Sequence, residues 1–227
     1  FLKKKNILHS LLILSLTVML ISPYLIRNYI NTGSIHLVNV TGYALWKGNN
    51  QMNKVEGFHN GLHPDYREDW PKIKEFENLY NKLDKINKDK NYETNRDKIF
   101  KDEALNNILL EKKKYFLLYL KKVFSYFFID LNSSIKNYYN PAHVIPIILF
   151  SICSIPGAIV GLKKIRSSQI IYLFLLTCFL VCFISIFFIL PRYKISILSF
   201  QILFSLFFFE YLFESFKFFS CKSTHDS

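Results

Sequence analysis

"YFLLYLKKVFSYFFI" occupies residues 115–129, and its reading decides how often the chain crosses a membrane. As a helix it spans only roughly 22 Å, at about 1.5 Å per residue. A bilayer's hydrocarbon core is about 30 Å thick. Lys121 and Lys122 sit at its middle, where each costs about 2.5–3.5 kcal/mol at a bilayer centre. On a helix, Lys114, Lys121, Lys122 and Ser125 share one face, with Phe116, Leu120, Val123 and Phe127 opposite. This pattern predicts an amphipathic helix lying on the membrane, not a span.

Outward from it, four runs are long and apolar enough to cross: residues 7–26, 143–162, 170–190 and 195–216. The expected fold is therefore mainly α: a polytopic helical membrane protein with about four transmembrane helices. The basic clusters "KKK" (3–5) and "KKIRSSQ" (163–169) both belong inside by the positive-inside rule. Residues 27–142 then form a long exported loop carrying the interfacial helix 115–129, and the turn "PRYK" (191–194) also faces outward. Residues 143–216 hold three of the spans, and 217–227 form a cytoplasmic tail. The chain begins with Phe1, and its basic-then-apolar opening lacks a small-residue cleavage site, so 1–26 reads as an internal span of a longer protein.

Composition agrees with this class. Of 227 residues, 51% are hydrophobic, with 23 Phe, 14 Tyr and only 7 Gly, and the formal charge is +12. No nucleic-acid motif accompanies that charge, so anionic lipid headgroups or a phosphorylated substrate are the expected partners and nucleic acid is not. The four cysteines, Cys153, Cys178, Cys182 and Cys221, lie in apolar runs or the tail, which excludes a disulfide framework in the exported loop.

Within that loop two helices are expected. Ile73, Phe76, Leu79, Tyr80, Leu83 and Ile86 follow helical spacing after Pro71. A second helix starts near Thr94, with Ile99, Phe100, Ala104, Leu105, Ile108 and Leu109 as its apolar side. "NKDKNYETN" between them reads as a connector, and residues 47–66, with three glycines and Pro64, as irregular chain. His59, His63 and Asp65 suggest a metal site only if helical, which Gly57, Gly61 and Pro64 oppose. No metal or other cofactor is expected. Fourteen of the 17 acidic residues fall in 26–142, mostly alternating with lysine as solvated charge.

The membrane-edge residues carry more information. Arg27 follows the first span and Arg192 lies between the third and fourth, so both sit at the outer interface. Either they anchor the helices in the headgroups, or they grip a phosphate with the bidentate geometry of guanidinium. Lys194, Lys121 and Lys122 would add charge to such a site. The tripeptide Gly48-Asn49-Asn50 reads equally as a tight turn or as sugar-binding side chains.

The stretch Pro23, Arg27, Asn28, Tyr29 followed by "GYALWKGNN", with "DEALNNILLEKKKYFLLYLKKVFSYFF" and "PRYKISIL" further on, resembles bacterial membrane glycosyltransferases of the dolichyl-phosphate-mannose–protein mannosyltransferase type. These are family 39-like members of the C-type glycosyltransferase fold. The resemblance covers most of residues 20–215 and only the C-terminal part of that architecture; the prolines common after the family's outer-turn Arg are missing after Arg192. It implies a bacterial inner-membrane protein with its long loop exported, and a polyprenyl-phosphate-linked sugar donor. It also implies a catalytic acid in a loop upstream of residue 1, so the chain alone is expected to be inactive. Arg27, Asn28, Tyr29, Tyr43, Trp46, Asn49, Asn50, Lys121, Lys122, Arg192 and Lys194 would then line the donor cavity. Two other readings stay open: a polysaccharide polymerase or ligase, and a non-catalytic membrane protein binding a partner or anionic lipid.

Overall fold

The computed structural model describes residues 4–35, 37, 40–57, 76–165 and 167–223, with side-chain surroundings for the same residues except 4–6, 165 and 216–223. Its regular elements are all helical, and no strand occurs among the described residues. In order the helices are α1 (Lys4–Thr32), α2 (Thr41–Gly48), α3 (Glu77–Asp84), α4 (Tyr92–Leu110), α5 (Lys112–Phe127), α6 (Pro141–Val160), α7 (Ser168–Ile184) and α8 (Ile195–Ser223). A π-helical turn, Gly161–Ile165, closes α6, and a 3₁₀ turn, Pro191–Lys194, leads into α8.

Among the described residues three stretches are long and apolar enough to cross a membrane: Ile7–Thr32, Pro141–Lys164 and Pro191–Ser215. The expected fourth is shorter than its apolar composition suggests. α7 has 17 residues, about 25 Å at 1.5 Å per residue, and residues 185–190 leave the helix. One reason is that the Ile189 N–H donates to the Val55 carbonyl, which an intact helix would forbid. The first span is longer than expected: the helix runs past residue 26 to Thr32, so Arg27, Asn28 and Tyr29 are helical.

The chain divides into two compact units, Phe1–Trp46 with Leu62–Asn106, and Lys47–Gly61 with Asn107–Ser227. In the first unit, α1 exposes every side chain from Ile7 to Leu20. The core of this unit is aromatic: Trp46 lies 5.1 Å from both Phe76 and Phe100, ring centre to ring centre. α2, absent from the sequence expectation, exists because Asp97 of α4 caps it from outside. Its two carboxylate oxygens accept from the Gly42 and Tyr43 N–H groups, each at 2.9 Å. Gly42 permits that approach, since a Cβ there would stand 2.0 Å from the Asp97 carbonyl oxygen.

α4 begins at Tyr92, two residues before the expected start, so only the first part of the "NKDKNYETN" connector is non-helical. It buries Phe100 and Ala104 as expected but exposes Leu105 and Leu109. α3 buries Leu79 and Leu83. Pro71, Ile73, His59, His63 and Asp65 lie outside the described residues.

In the second unit, α6 and α8 run parallel. Gln201 pairs with Ser151, Ser205 with the Phe150 carbonyl, and Lys164 with Glu214. α6 starts with Pro141 after Asn140, whose side chain accepts from Ala142 N. Small residues let the two helices approach closely: a Cβ on Gly157 would stand 1.8 Å from the Phe204 carbonyl oxygen.

α5 corrects the sequence reading of its faces. Lys122 and Ser125, expected on the solvated side, point inward with Tyr115, Leu118 and Tyr126. Phe116, Leu117, Leu120 and Phe124 are exposed, while Val123 and Phe127 pack against a core of Tyr126, Val181, Ile189 and Ile197. An apolar edge therefore faces outward, and a lysine is buried beneath it.

Candidate functional site

The site in the second unit begins where α2 ends. Gly48 lies against the chain after α7, and a Cβ there would meet the Phe187 carbonyl oxygen at 2.3 Å. The next two side chains fasten the contact. Asn49 donates through Nδ2 to the Ile186 carbonyl at 2.9 Å, and Asn50 donates back to the Lys47 carbonyl at 3.0 Å. Neither Gly48, Asn49 nor Asn50 uses the left-handed backbone region; Asn53 and Gly57 do. The tripeptide is thus a docking segment, with glycine for close approach and two buried amides as clasps, and the tight turn falls a few residues later.

This fastening brings together two sequence motifs that are far apart in the chain. Lys47 stands over the Phe188 ring at 4.6 Å, and the Arg192 guanidinium lies over Tyr193 at 5.5 Å. Burial pushes the Lys47 ammonium below its ordinary range, and the charge on nearby Arg192 pushes the same way. Among the described residues neither cation forms an ion pair with a carboxylate. Two neighbouring cations with no carboxylate paired to them among the described residues make an anion-seeking place.

Beneath it sits Lys122, fully buried, donating to Asn49 Oδ1 at 3.0 Å. Burial alone drives its pKa down to about 7. The Asn107 amide donates to the Asn49 carbonyl at 3.3 Å and accepts from Gln51 at 3.3 Å, extending the polar layer. Ser185, adjoining Ile186, keeps a buried hydroxyl with no hydrogen-bond partner among the described residues.

The remaining expected residues fall elsewhere. Lys194 is buried and donates to the Phe128 carbonyl, a structural bond. Lys121 is exposed beside a cavity below α5. Tyr43 and Trp46 belong to the first unit; Trp46 is fully buried and offers no open face, and burial raises the Tyr43 phenol. Arg27 and Tyr29 are exposed on α1, while Asn28 reaches the Leu37 carbonyl at 3.5 Å. Among the described residues no cluster of three His, Cys, Asp or Glu side chains has metal-binding geometry.

Sequence reasoning missed Lys47, although it lies inside the quoted "LWKGNN". It also missed Glu56 and Asp130. Glu56 is buried and accepts from Ser133 Oγ at 2.5 Å, from Ser134 N at 3.0 Å and from the Ser134 hydroxyl. Asp130 closes an Asx turn onto Asn132 N at 3.0 Å, a geometry that "DLN" directly after an apolar run does signal. Compared with protein-family models, curated proteins and solved structures, the chain finds no match.

Proposed function

We propose that this chain is the C-terminal membrane portion of a glycosyltransferase that takes a sugar from a polyprenyl-phosphate-linked donor on the exported face. The observation that carries the reading is the docking of the Lys47–Asn50 segment on Ile186–Phe188, just before the Pro191–Lys194 turn, which puts Lys47 within electrostatic reach of Arg192 with no carboxylate paired to either among the described residues. A lipid-linked phosphate supplies the missing negative charge, and Arg192 presents a fork suited to its oxygens. Arg27, exposed on α1, is a further guanidinium that the expected topology brings to the exported interface. In this reading α7 is the fourth crossing, and α5 lies in the interface with Phe116, Leu117, Leu120 and Phe124 toward the lipid.

Donor recognition is tested by binding a short-chain prenyl phosphate to the complete protein, with the matching prenol as the uncharged control. Lys47→Gln combined with Arg192→Gln should weaken prenyl phosphate by about 1.5–3 kcal/mol per lost charged hydrogen bond, leaving prenol binding unchanged. Wild-type affinity for the phosphate in the double variant would return both residues to simple anchoring.

Topology has its own test. Cysteines placed at Asn91 and Ser167, in a background lacking the native thiols, should label differently with an impermeant maleimide in sealed cells. Only the first should react, because residues 27–142 are exported and the "KKIRSSQ" connector is inside. Equal labelling removes the topology.

A further inference from the structure

The cavity below α5 holds about 440 Å³ and carries both signs of charge. Its apolar wall is the exposed edge of α5, Leu117, Leu120 and Phe124, continued by Ile129. Lys54 and Lys121 are exposed at it, and neither ammonium makes an ion pair or hydrogen bond among the described residues. Asp130 is 8% exposed and also lines it. Its Oδ1 accepts from Asn132 N, while Oδ2 accepts from no described residue. Glu56, by contrast, is occupied by Ser133 and Ser134 and serves as structure.

From this arrangement we infer that the cavity binds the headgroup of a zwitterionic phospholipid bearing a primary ammonium, of the phosphatidylethanolamine type. The phosphate would meet Lys54 and Lys121, the ammonium would donate to Asp130 Oδ2, and one acyl chain would follow Leu117, Leu120 and Phe124. A purely anionic head gains the lysines but faces the Asp130 carboxylate, and a purely cationic one is repelled by both lysines. A quaternary ammonium carries no N–H, so it cannot make the hydrogen bond that Asp130 accepts. Burial also raises the Asp130 carboxyl above its usual range, which an incoming cation relieves.

The site rests on the interfacial placement of α5 and is independent of the donor phosphate at Lys47 and Arg192. That placement is read separately, by quenching of a tryptophan at Phe116 with brominated acyl chains. For the lipid itself, native mass spectrometry of the detergent-solubilised full chain, titrated with dioleoyl phosphatidylethanolamine, phosphatidylcholine and phosphatidylglycerol, gives the affinities. The wild type should bind phosphatidylethanolamine about ten-fold tighter than phosphatidylcholine, with phosphatidylglycerol between them. Asp130→Asn keeps an acceptor for Asn132 N and should erase the ethanolamine preference. Lys54→Gln with Lys121→Gln should weaken both phosphatidylethanolamine and phosphatidylglycerol about ten-fold. Equal binding of the three lipids, a phosphatidylglycerol preference, or an undiminished ethanolamine preference in Asp130→Asn overturns the inference. Should Asp130→Asn fail to fold, as judged by circular dichroism, the lysine pair decides: both residues are exposed, and unchanged binding in that variant is equally fatal.

Discussion

Gly157→Val should lose the native packing of the second unit, the largest destabilisation expected of any single substitution considered. Gly157 faces α8 so closely that a Cβ would stand 1.8 Å from the Phe204 carbonyl oxygen, 2.6 Å from its carbon and 3.3 Å from Phe208 Cβ. A side chain in the way can rotate, but the backbone of a long helix can only move as a body. Overpacking ordinarily costs about 1–3 kcal/mol; here the obstacle is main chain, so the upper end or beyond is expected. Moving α8 outward also strains the polar contacts that fix its register, Gln201 to the Phe127 carbonyl at 2.8 Å and Ser205 to the Phe150 carbonyl at 3.1 Å. Gly161→Ala is the graded control, because the nearest atoms to its Cβ are side chains, the Phe207 ring at 3.0 Å and Ile170 Cγ2 at 3.5 Å. Thermal unfolding in detergent, followed by helix content, should rank wild type above Gly161→Ala and both far above Gly157→Val. A Gly157→Val protein that melts with the wild type refutes the backbone contact.

In the sequence, residues 143–162 were read only as an apolar run, and their Gly157-x-x-x-Gly161 spacing, which brings two small residues to one helix face, was passed over. Helix existence was legible wherever apolar spacing was long: α4, α5, α6 and α8 follow their periodic runs. α2 was not, because its start depends on the Asp97 carboxylate supplied by another helix 55 residues on. The direction in which α5 faces was missed for a related reason. Spacing shows that Lys122 and Ser125 share a face, but only tertiary contact decides whether that face meets water or Asn49. At the candidate site, "LWKGNN" and "PRYK" were each visible. The docking of "LWKGNN" on the chain that follows α7 was not, since nothing local ties Asn49 to the Ile186 carbonyl.

Lys122 gives the second large effect, and its sign follows from burial. The ammonium is fully enclosed, has Asn49 Oδ1 as its hydrogen-bond partner, and pairs with no carboxylate among the described residues. Its folded pKa is about 7 against an ordinary 10.5. Between those values the unfolded chain binds a proton that the folded chain does not, so stability rises with pH across that window. Below pH 7 the whole penalty applies, of order 5 kcal/mol, and it fades at roughly 1.4 kcal/mol per unit as pH rises. Lys122→Met keeps the volume and removes the charge, at the loss of one hydrogen bond of about 1 kcal/mol. Lys47, also depressed, adds to the wild-type slope, and it and buried Lys194 both remain in the variant, so the difference between the two proteins isolates Lys122. Melting in detergent from pH 6.5 to 9 stays clear of the raised tyrosines, such as Tyr115, pushed up to about 12. The wild type should gain stability with pH, and Lys122→Met should start higher at pH 6.5 and rise less steeply, by up to about 1.4 kcal/mol per unit. A wild-type curve that is flat, or parallel to that of the variant, means that Lys122 keeps an ordinary pKa and that an anion or water reaches it in the native state.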